Sequence, residues 1–221
     1  MFARVDAASA TRLWIASLSG GTPIRVDSLE PNYEDFGTWS PDGSRVVYVT
    51  VADGKVSLVI AKAIGGAKPF LLKEDVAQYC FPDWSPKGDW ISYRDKNGNW
   101  NLISPDGKVS KALIKSNTDT LAFAKDGKLL YGIETGTGAA DQNGATLFSL
   151  DPATLKRKVI KELGKELRPA SRFPRFSLAP DGRSIAYGVE KEREDLWMLT
   201  GYRQPGLWNQ IKDAFHFNAA K

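Results

Sequence analysis

Short apolar runs separated by polar turns recur along this chain at a nearly constant interval. Leu13-Trp14-Ile15-Ala16 is followed by Gly20-Gly21, and Leu58-Val59-Ile60-Ala61 by Gly65-Gly66, so the run and its glycines are both displaced by 45 residues. Trp39 and Trp84 are also 45 residues apart. Independent landmarks that share one period define an internal repeat. The runs are short and rich in β-branched and aromatic residues, which predicts strands rather than helices.

The turns have a specific chemistry. Residues 38–50 read T-W-S-P-D-G-S-R-V-V-Y-V-T, and Ser40-Pro41-Asp42-Gly43 suits a type I turn: a small polar residue first, a proline with its φ already set second, and glycine last. An aromatic residue precedes the turn and alternating β-formers follow it, which predicts a β-hairpin. The signature returns at Trp84-Ser85-Pro86-Lys87-Gly88, at Phe123-Ala124-Lys125-Asp126-Gly127 and at Leu178-Ala179-Pro180-Asp181-Gly182. Ser104-Pro105-Asp106-Gly107 carries the same letters after the strand around Leu102, a different place in the repeat. The tetrapeptide is therefore turn chemistry and does not by itself mark a register.

Each repeat resolves into four strands, a to d, with the aromatic residue ending a. A period of about 40 to 45 residues with four strands is the sequence sign of β-propeller blades. The expected fold is all-β: a partial β-propeller of about four and a half blades of four-stranded antiparallel sheets. The half blade covers 12–28, opening on strand c at Leu13, and the blades cover about 33–73, 79–115, 119–162 and 173–200. Trp39, Trp84 and Phe123 are expected to fill the spaces between blades. The polar, Gly-rich stretch 134–144 is expected to be an insertion without strand character. Residues 201–221 form a tail in which Leu207, Trp208, Ile211 and Phe215 have the spacing of a short amphipathic helix. Both ends of the repeat array supply a strand c, so the expectation is a C-terminal part of a longer propeller.

The repeats W-S-P-D-G-S-R-V-V-Y at 39–48, W-S-P-K-G-D-W-I-S-Y at 84–93 and L-A-P-D-G-R-S-I-A-Y at 178–187 resemble the WD-like repeats of the TolB family and related bacterial propellers. The resemblance covers about 12–200. It implies a non-catalytic scaffold that binds a protein or peptide partner, because TolB is a periplasmic partner of a peptidoglycan-associated lipoprotein and of colicins. The same repeat also builds the propellers of prolyl oligopeptidase-like and tricorn-type peptidases, and of sensory proteins carrying kinase or winged-helix domains. A sensor or gating propeller of a larger protein is therefore an alternative reading, and a propeller hydrolase with a site at the channel mouth is another. By family resemblance the compartment is periplasmic if the full-length gene has a signal sequence, and otherwise cytoplasmic.

Composition adds limits. Thirty Lys and Arg against 26 Asp and Glu give a net charge of +4, but the basic residues are scattered, so no nucleic-acid partner is expected. No membrane span is visible, and Cys80, the one cysteine, reads as a buried small hydrophobe. No catalytic, cofactor or metal residues are assigned. There is no G-x-S-x-G or G-x-x-x-x-G-K-[ST], and the one histidine, His216, lies in the tail. Asp141, Asn143 and Glu134 lack EF-hand spacing. Glu34-Asp35 and Glu74-Asp75 read as solvated residues of d-to-a connections. Those connections and the b-to-c loops share one face, and loops on a rigid scaffold are the usual place for recognition. Tyr33, Tyr79, Arg94, Arg172 and Arg175 are the expected partner anchors, since Tyr and Arg contribute disproportionately at interfaces.

Overall fold

The turns that begin at Ser40, Ser85 and Ser104 are each built on a hydroxyl and a carboxylate. In the computed structural model, which describes residues 1–5, 10–26, 33–118, 120–135, 145–163, 176–179 and 182–187, Ser40 Oγ donates to Asp42 Oδ1 at 2.6 Å and accepts the Arg45 N–H at 2.9 Å. Asp42 also accepts the Ser44 N–H. These bonds, with the Ser40 hydroxyl as the largest cause, hold the Asp42 carboxyl down at about 2. At the next repeat Lys87 replaces the aspartate, and Asp89 supplies the carboxylate to Ser85 Oγ instead, again at 2.6 Å. Where Ala124 and Lys125 replace Ser and Pro the turn still closes, with the Gly127 N–H donating to Ala124 O at 2.8 Å.

The strands are β1 (Phe2–Val5), β2 (Thr11–Ile15), β3 (Ile24–Arg25), β4 (Tyr33–Trp39), β5 (Arg45–Ala52), β6 (Lys55–Lys62) and β7 (Phe70–Glu74). They continue as β8 (Asp83–Trp84), β9 (Ile91–Arg94), β10 (Asn99–Ile103), β11 (Ser110–Lys115), β12 (Leu121–Phe123), β13 (Leu130–Thr135), β14 (Ala145–Leu150), β15 (Arg157–Glu162), β16 (Phe176–Leu178) and β17 (Ile185–Tyr187). Among the described residues no helix occurs. The strands β4 to β7, β8 to β11 and β12 to β15 each form an antiparallel meander, followed by the β16–β17 hairpin. All described residues belong to the unit Met1–Lys191.

Each sheet buries both faces against its neighbours. Along β5, Val46 and Tyr48 pack with Leu13, Val26, Val59 and Ala61, while the alternate residues Val47 and Val49 join Leu58, Ile60 and the aromatic and aliphatic residues of the next sheet. The larger cluster runs on through Ile91, Trp100 and Leu102 to Leu121, Leu130 and Phe148. On the far face of the third meander, Ile133, Ala145, Leu147 and Leu163 receive Phe176 and Ile185. Continuous burial along β5 follows from this stacking, since a strand covered on both sides has no polar face to alternate with. The outermost strand β15, R-K-V-I-K-E, is exposed throughout, and its lysines and arginine suit a solvent-facing edge.

The turns also touch from sheet to sheet. A Cβ on Gly88 would lie 3.7 Å from Pro41 Cδ, and one on Gly127 would lie 3.6 Å from Pro86 Cδ. The proline of one turn thus rests against the glycine of the next. Lys125 occupies the third proline position, and the following glycine, Gly182, has nothing within 4 Å.

Four expectations are corrected. The chain does not open on strand c, because β1 pairs with β2 in register from Phe2↔Trp14 to Val5↔Thr11 and turns the half blade into three strands. Trp39 is 38% exposed instead of filling a space between blades, whereas Trp84 and Phe123 are buried. Trp84 is capped by the Arg45 guanidinium, 5.0 Å from its ring centroid. Glu34 is a fully buried residue of β4 and not a solvated loop carboxylate: its Oε2 accepts the Leu13 N–H at 2.9 Å, and Arg25 lies 3.9 Å away. Glu134 and Thr135, assigned to an irregular insertion, complete β13 opposite Thr146 and Ala145. The tail helix expected over 207–215 and the end of the last expected blade, 188–200, lie outside the described residues.

Replacing Lys125 with proline should restore the missing turn contact and reduce the freedom of the unfolded chain. Lys125→Pro is expected to raise stability by about 0.4–1 kcal/mol, and Pro86→Ala to lower it by a similar amount, as measured from urea midpoints. An unchanged or lower midpoint for Lys125→Pro would refute the turn-to-turn contact as a source of stability.

Candidate functional site

The connections β7–β8, β9–β10 and β11–β12 converge at one end of the sheets and are tied together by backbone bonds. Ala77 N–H donates to Arg94 O at 2.9 Å, Lys96 N–H to Asp75 O at 3.0 Å and Ser116 N–H to Gly98 O at 3.3 Å. The opposite end carries the tight turns. Sequence spacing alone separates these two ends, because strands that alternate in direction put every second connection on the same side.

Phe36 organises the first part of this face. A bulge between Asp35 and Thr38 puts Phe36 at φ 59°, a left-handed conformation unusual for a bulky residue, and its ring turns inward. It meets Phe81 edge-on at a 4.3 Å centroid distance, Tyr33 at 6.1 Å and Tyr79 at 6.4 Å. Tyr33 is half-buried, while Tyr79 is 45% exposed. Two of the five expected anchors thus share one aromatic support, and Tyr79 presents its ring to solvent.

Arg94 joins the same face through Cys80, the residue after Tyr79. Its backbone N–H donates to the buried Cys80 sulfur at 3.0 Å, and its guanidinium Nη1 donates to Thr118 O at 3.0 Å. Trp100 Nε1 donates to the same carbonyl at 3.1 Å. Beyond the guanidinium opens a cleft of about 650 Å³ between the second and third meanders, lined by Arg94, Lys96, Lys115, Ser116, Asn117 and Glu134 among others. Glu134 accepts from Ser116 Oγ at 2.8 Å and pairs with Arg157 at 2.6 Å. Lys115 carries no signal of this position in the sequence, because nothing in a strand-end lysine reveals which neighbouring loop it will face. Arg172 and Arg175 lie outside the described residues.

Two further groups link the second and third meanders. Ser92 Oγ donates to Leu121 O at 2.8 Å, and Asp83 Oδ2 accepts the Phe123 N–H at 2.8 Å. Burial pushes the Asp83 carboxyl up to about 6, against the opposing pull of the Phe123 and Trp84 N–H groups. Among the described residues no three His, Cys, Asp or Glu side chains gather in a way that suits a metal ion, and no helix is long and apolar enough to cross a membrane.

Repeated antiparallel meanders of four strands, stacked face to face, define a β-propeller. The chain has the fold of TolB-type propellers: it superimposes on TolB from Acinetobacter baumannii with a TM-score of 0.62 at 19% identity, over 80% of this chain and 42% of that one. A protein assigned as TolB from Agrobacterium tumefaciens gives 0.63 at 20% identity, over 80% and 62% of the two chains. A structure from a study of two prolyl endopeptidases gives 0.53 at 12% identity, over 83% and 33%. The chain therefore spans about half the length of the TolB structures it resembles. No protein-family model and no curated protein sequence matches it.

Asp83 holds a proton more tightly when folded than when unfolded, where its ordinary value of 3.8 applies. Its contribution to stability is therefore full below that value and is lost as the pH rises through about 6. Asp83→Asn should match the wild type at pH 4 and exceed it by roughly 1–3 kcal/mol at pH 7. Urea unfolding of both proteins at the two pH values tests this, and an equal difference at both would refute it.

Proposed function

We propose that this chain is a non-catalytic propeller scaffold that binds a protein or peptide partner through the face carrying its d-to-a and b-to-c connections. The observation that supports this best is Tyr79, an exposed tyrosine backed edge-on by Phe36, beside the immobilised Arg94. Tyrosine and arginine held in place before binding lose little conformational freedom on association, which is why such residues dominate interface energies. The shared fold with TolB agrees with this reading, and Tyr33, Arg172 and Arg175 complete the set of proposed anchors.

A second reading has support from the prolyl endopeptidase likeness: the chain as a sensor or gating propeller within a larger protein. In that case the same face would contact a domain of the same polypeptide. For a hydrolase with its own site no specific observation speaks: among the described residues no three His, Cys, Asp or Glu side chains gather in a way that suits a metal ion.

A photo-crosslinking residue at Tyr79, compared with one at Lys68 on the turn end, tests the reading in cells that express the protein. A discrete adduct is expected from position 79 and not from position 68. Charge reversal at Arg94 and Arg172 should reduce adduct yield about tenfold or more. Equal yields from positions 79 and 68, or indifference to both reversals, would overturn it.

A further inference from the structure

Four connections from strand c to strand d, β2–β3, β6–β7, β10–β11 and β14–β15, lie at the turn end among the described residues, and each holds an aliphatic side chain in solvent. Leu18 stands fully exposed, Ile64 is 72% exposed, and Val109 and Leu155 are exposed as well. One such residue on a surface is ordinary. Tight turns favour Gly, Asn, Asp and Ser, however, so an aliphatic residue on each of these turns is not a product of turn chemistry. Leu155 is even held at φ 59°, a left-handed conformation that is costly for a bulky residue, whereas the second and third turns fill that conformation with Gly65 and Gly107.

The turns also hold one another. Gly66 N–H donates to Arg25 O at 3.1 Å, a Cβ on Gly107 would lie 3.8 Å from Phe70 Cζ, and Lys111 Nζ donates to Pro152 O. The four aliphatic tips therefore stand on one connected rim, on the side of the edge strands β7, β11 and β15. Residues 16–23, 62–69, 104–111 and 151–156, which span these turns, hold five lysines against two aspartates, Asp106 and Asp151. Asp106 pairs with Lys108 at 3.6 Å, and Asp151 accepts the Ala153 N–H at 2.7 Å. Among the described residues neither Lys62 nor Lys68, on either side of Ile64, has a carboxylate partner.

We propose that this rim is a peripheral membrane-binding edge, with the aliphatic tips entering the headgroup boundary of an anionic bilayer and Lys62 and Lys68 meeting its phosphates. Separate tips on four turns suit a fluid surface that closes around each of them, whereas a protein partner would need a matching socket for every tip. The hollow of about 470 Å³ lined by Ile60, Ile64 and Phe70 alongside Lys62 and Lys68 repeats the same pairing of apolar and cationic groups on this rim. Apolar contact supplies the affinity for the bilayer, and the lysines supply the preference for anionic lipid. The proposal goes beyond the partner-binding reading and does not depend on it: the loop face lies at the other end, and lipid at this one gives no protein adduct from position 68.

The test uses the full chain and its sedimentation with vesicles, either of phosphatidylglycerol mixed with phosphatidylcholine or of phosphatidylcholine alone. Binding is expected to the mixed vesicles and should be about fivefold or more weaker to the neutral ones. Leu18→Ser/Ile64→Ser should lower the partition coefficient about tenfold or more. Lys62→Glu/Lys68→Glu should do the same for the mixed vesicles, while Lys55→Glu/Lys73→Glu, an equal change of charge at the loop end, should stay within about threefold. Thermal unfolding checks that each variant remains folded. An environment-sensitive dye at position 64 of the otherwise unaltered chain reads the contact directly: its emission should move to the blue with mixed vesicles, and the same dye at position 79 should not respond. Absence of binding to mixed vesicles, equal loss in the two charge variants, or a response at position 79 without one at 64 would each overturn the proposal. So would a blue emission at position 64 without vesicles that fades on dilution, since the tips would then pack against a second copy of the chain.

Discussion

A four-stranded antiparallel sheet with apolar side chains on both faces cannot rest in water, and the rest of this structure follows from covering those faces. The cover for each sheet is the next sheet along the chain. Val46 and Tyr48 face backward to Leu13 and Val26, and Val47 and Val49 face forward to the second meander, so a single strand serves two interfaces. Burial of apolar area on this scale is the main favourable contribution to folding. It also explains why the strands carry continuous apolar runs instead of alternation.

Polar groups between the sheets then specify how neighbours align. The first and second meanders meet largely through aromatic and aliphatic contacts, with Arg45 laid over Trp84. The second and third are joined by directed bonds: Asp83 to the Phe123 amide, Ser92 to Leu121 O, and Arg94 and Trp100 to Thr118 O. Directional bonds fix a register where hydrophobic contact alone tolerates sliding. The cleft lies where these bonds end and the connections diverge, so its walls inherit the rigidity of the sheets while its opening is set by loops.

Much of the fold was legible in the sequence because the repeat restates it. Strand, turn and period each recur, and Ser40-Pro41-Asp42-Gly43 or Ser104-Pro105-Asp106-Gly107 specify a turn through bonds made within a few residues. The misjudged residues depend on distant partners. Glu34 looks like a loop carboxylate until Leu13 and Arg25 close over it, and Trp39 has the same local pattern as Trp84 although only Trp84, under Arg45, is buried. The strand β1 escaped notice because M-F-A-R-V-D is too short and too mixed to announce itself, and its pairing with β2 supplies the evidence instead. Of the candidate face, Tyr33, Tyr79 and Arg94 were legible as residues, but their common support on Phe36 and Cys80 was not.

The sequence by itself determined the all-β class, the repeated hairpin and the assignment of connections to two opposite ends, since period, turn chemistry and strand alternation are local properties. Only the tertiary structure decided which turn proline meets which glycine, which carboxylates lose their water, and that Arg94, Lys96 and Lys115 line one cleft. These residues come from different strands and connections. Their meeting depends on how the sheets stack, and no local pattern of residues encodes a distance between two sheets.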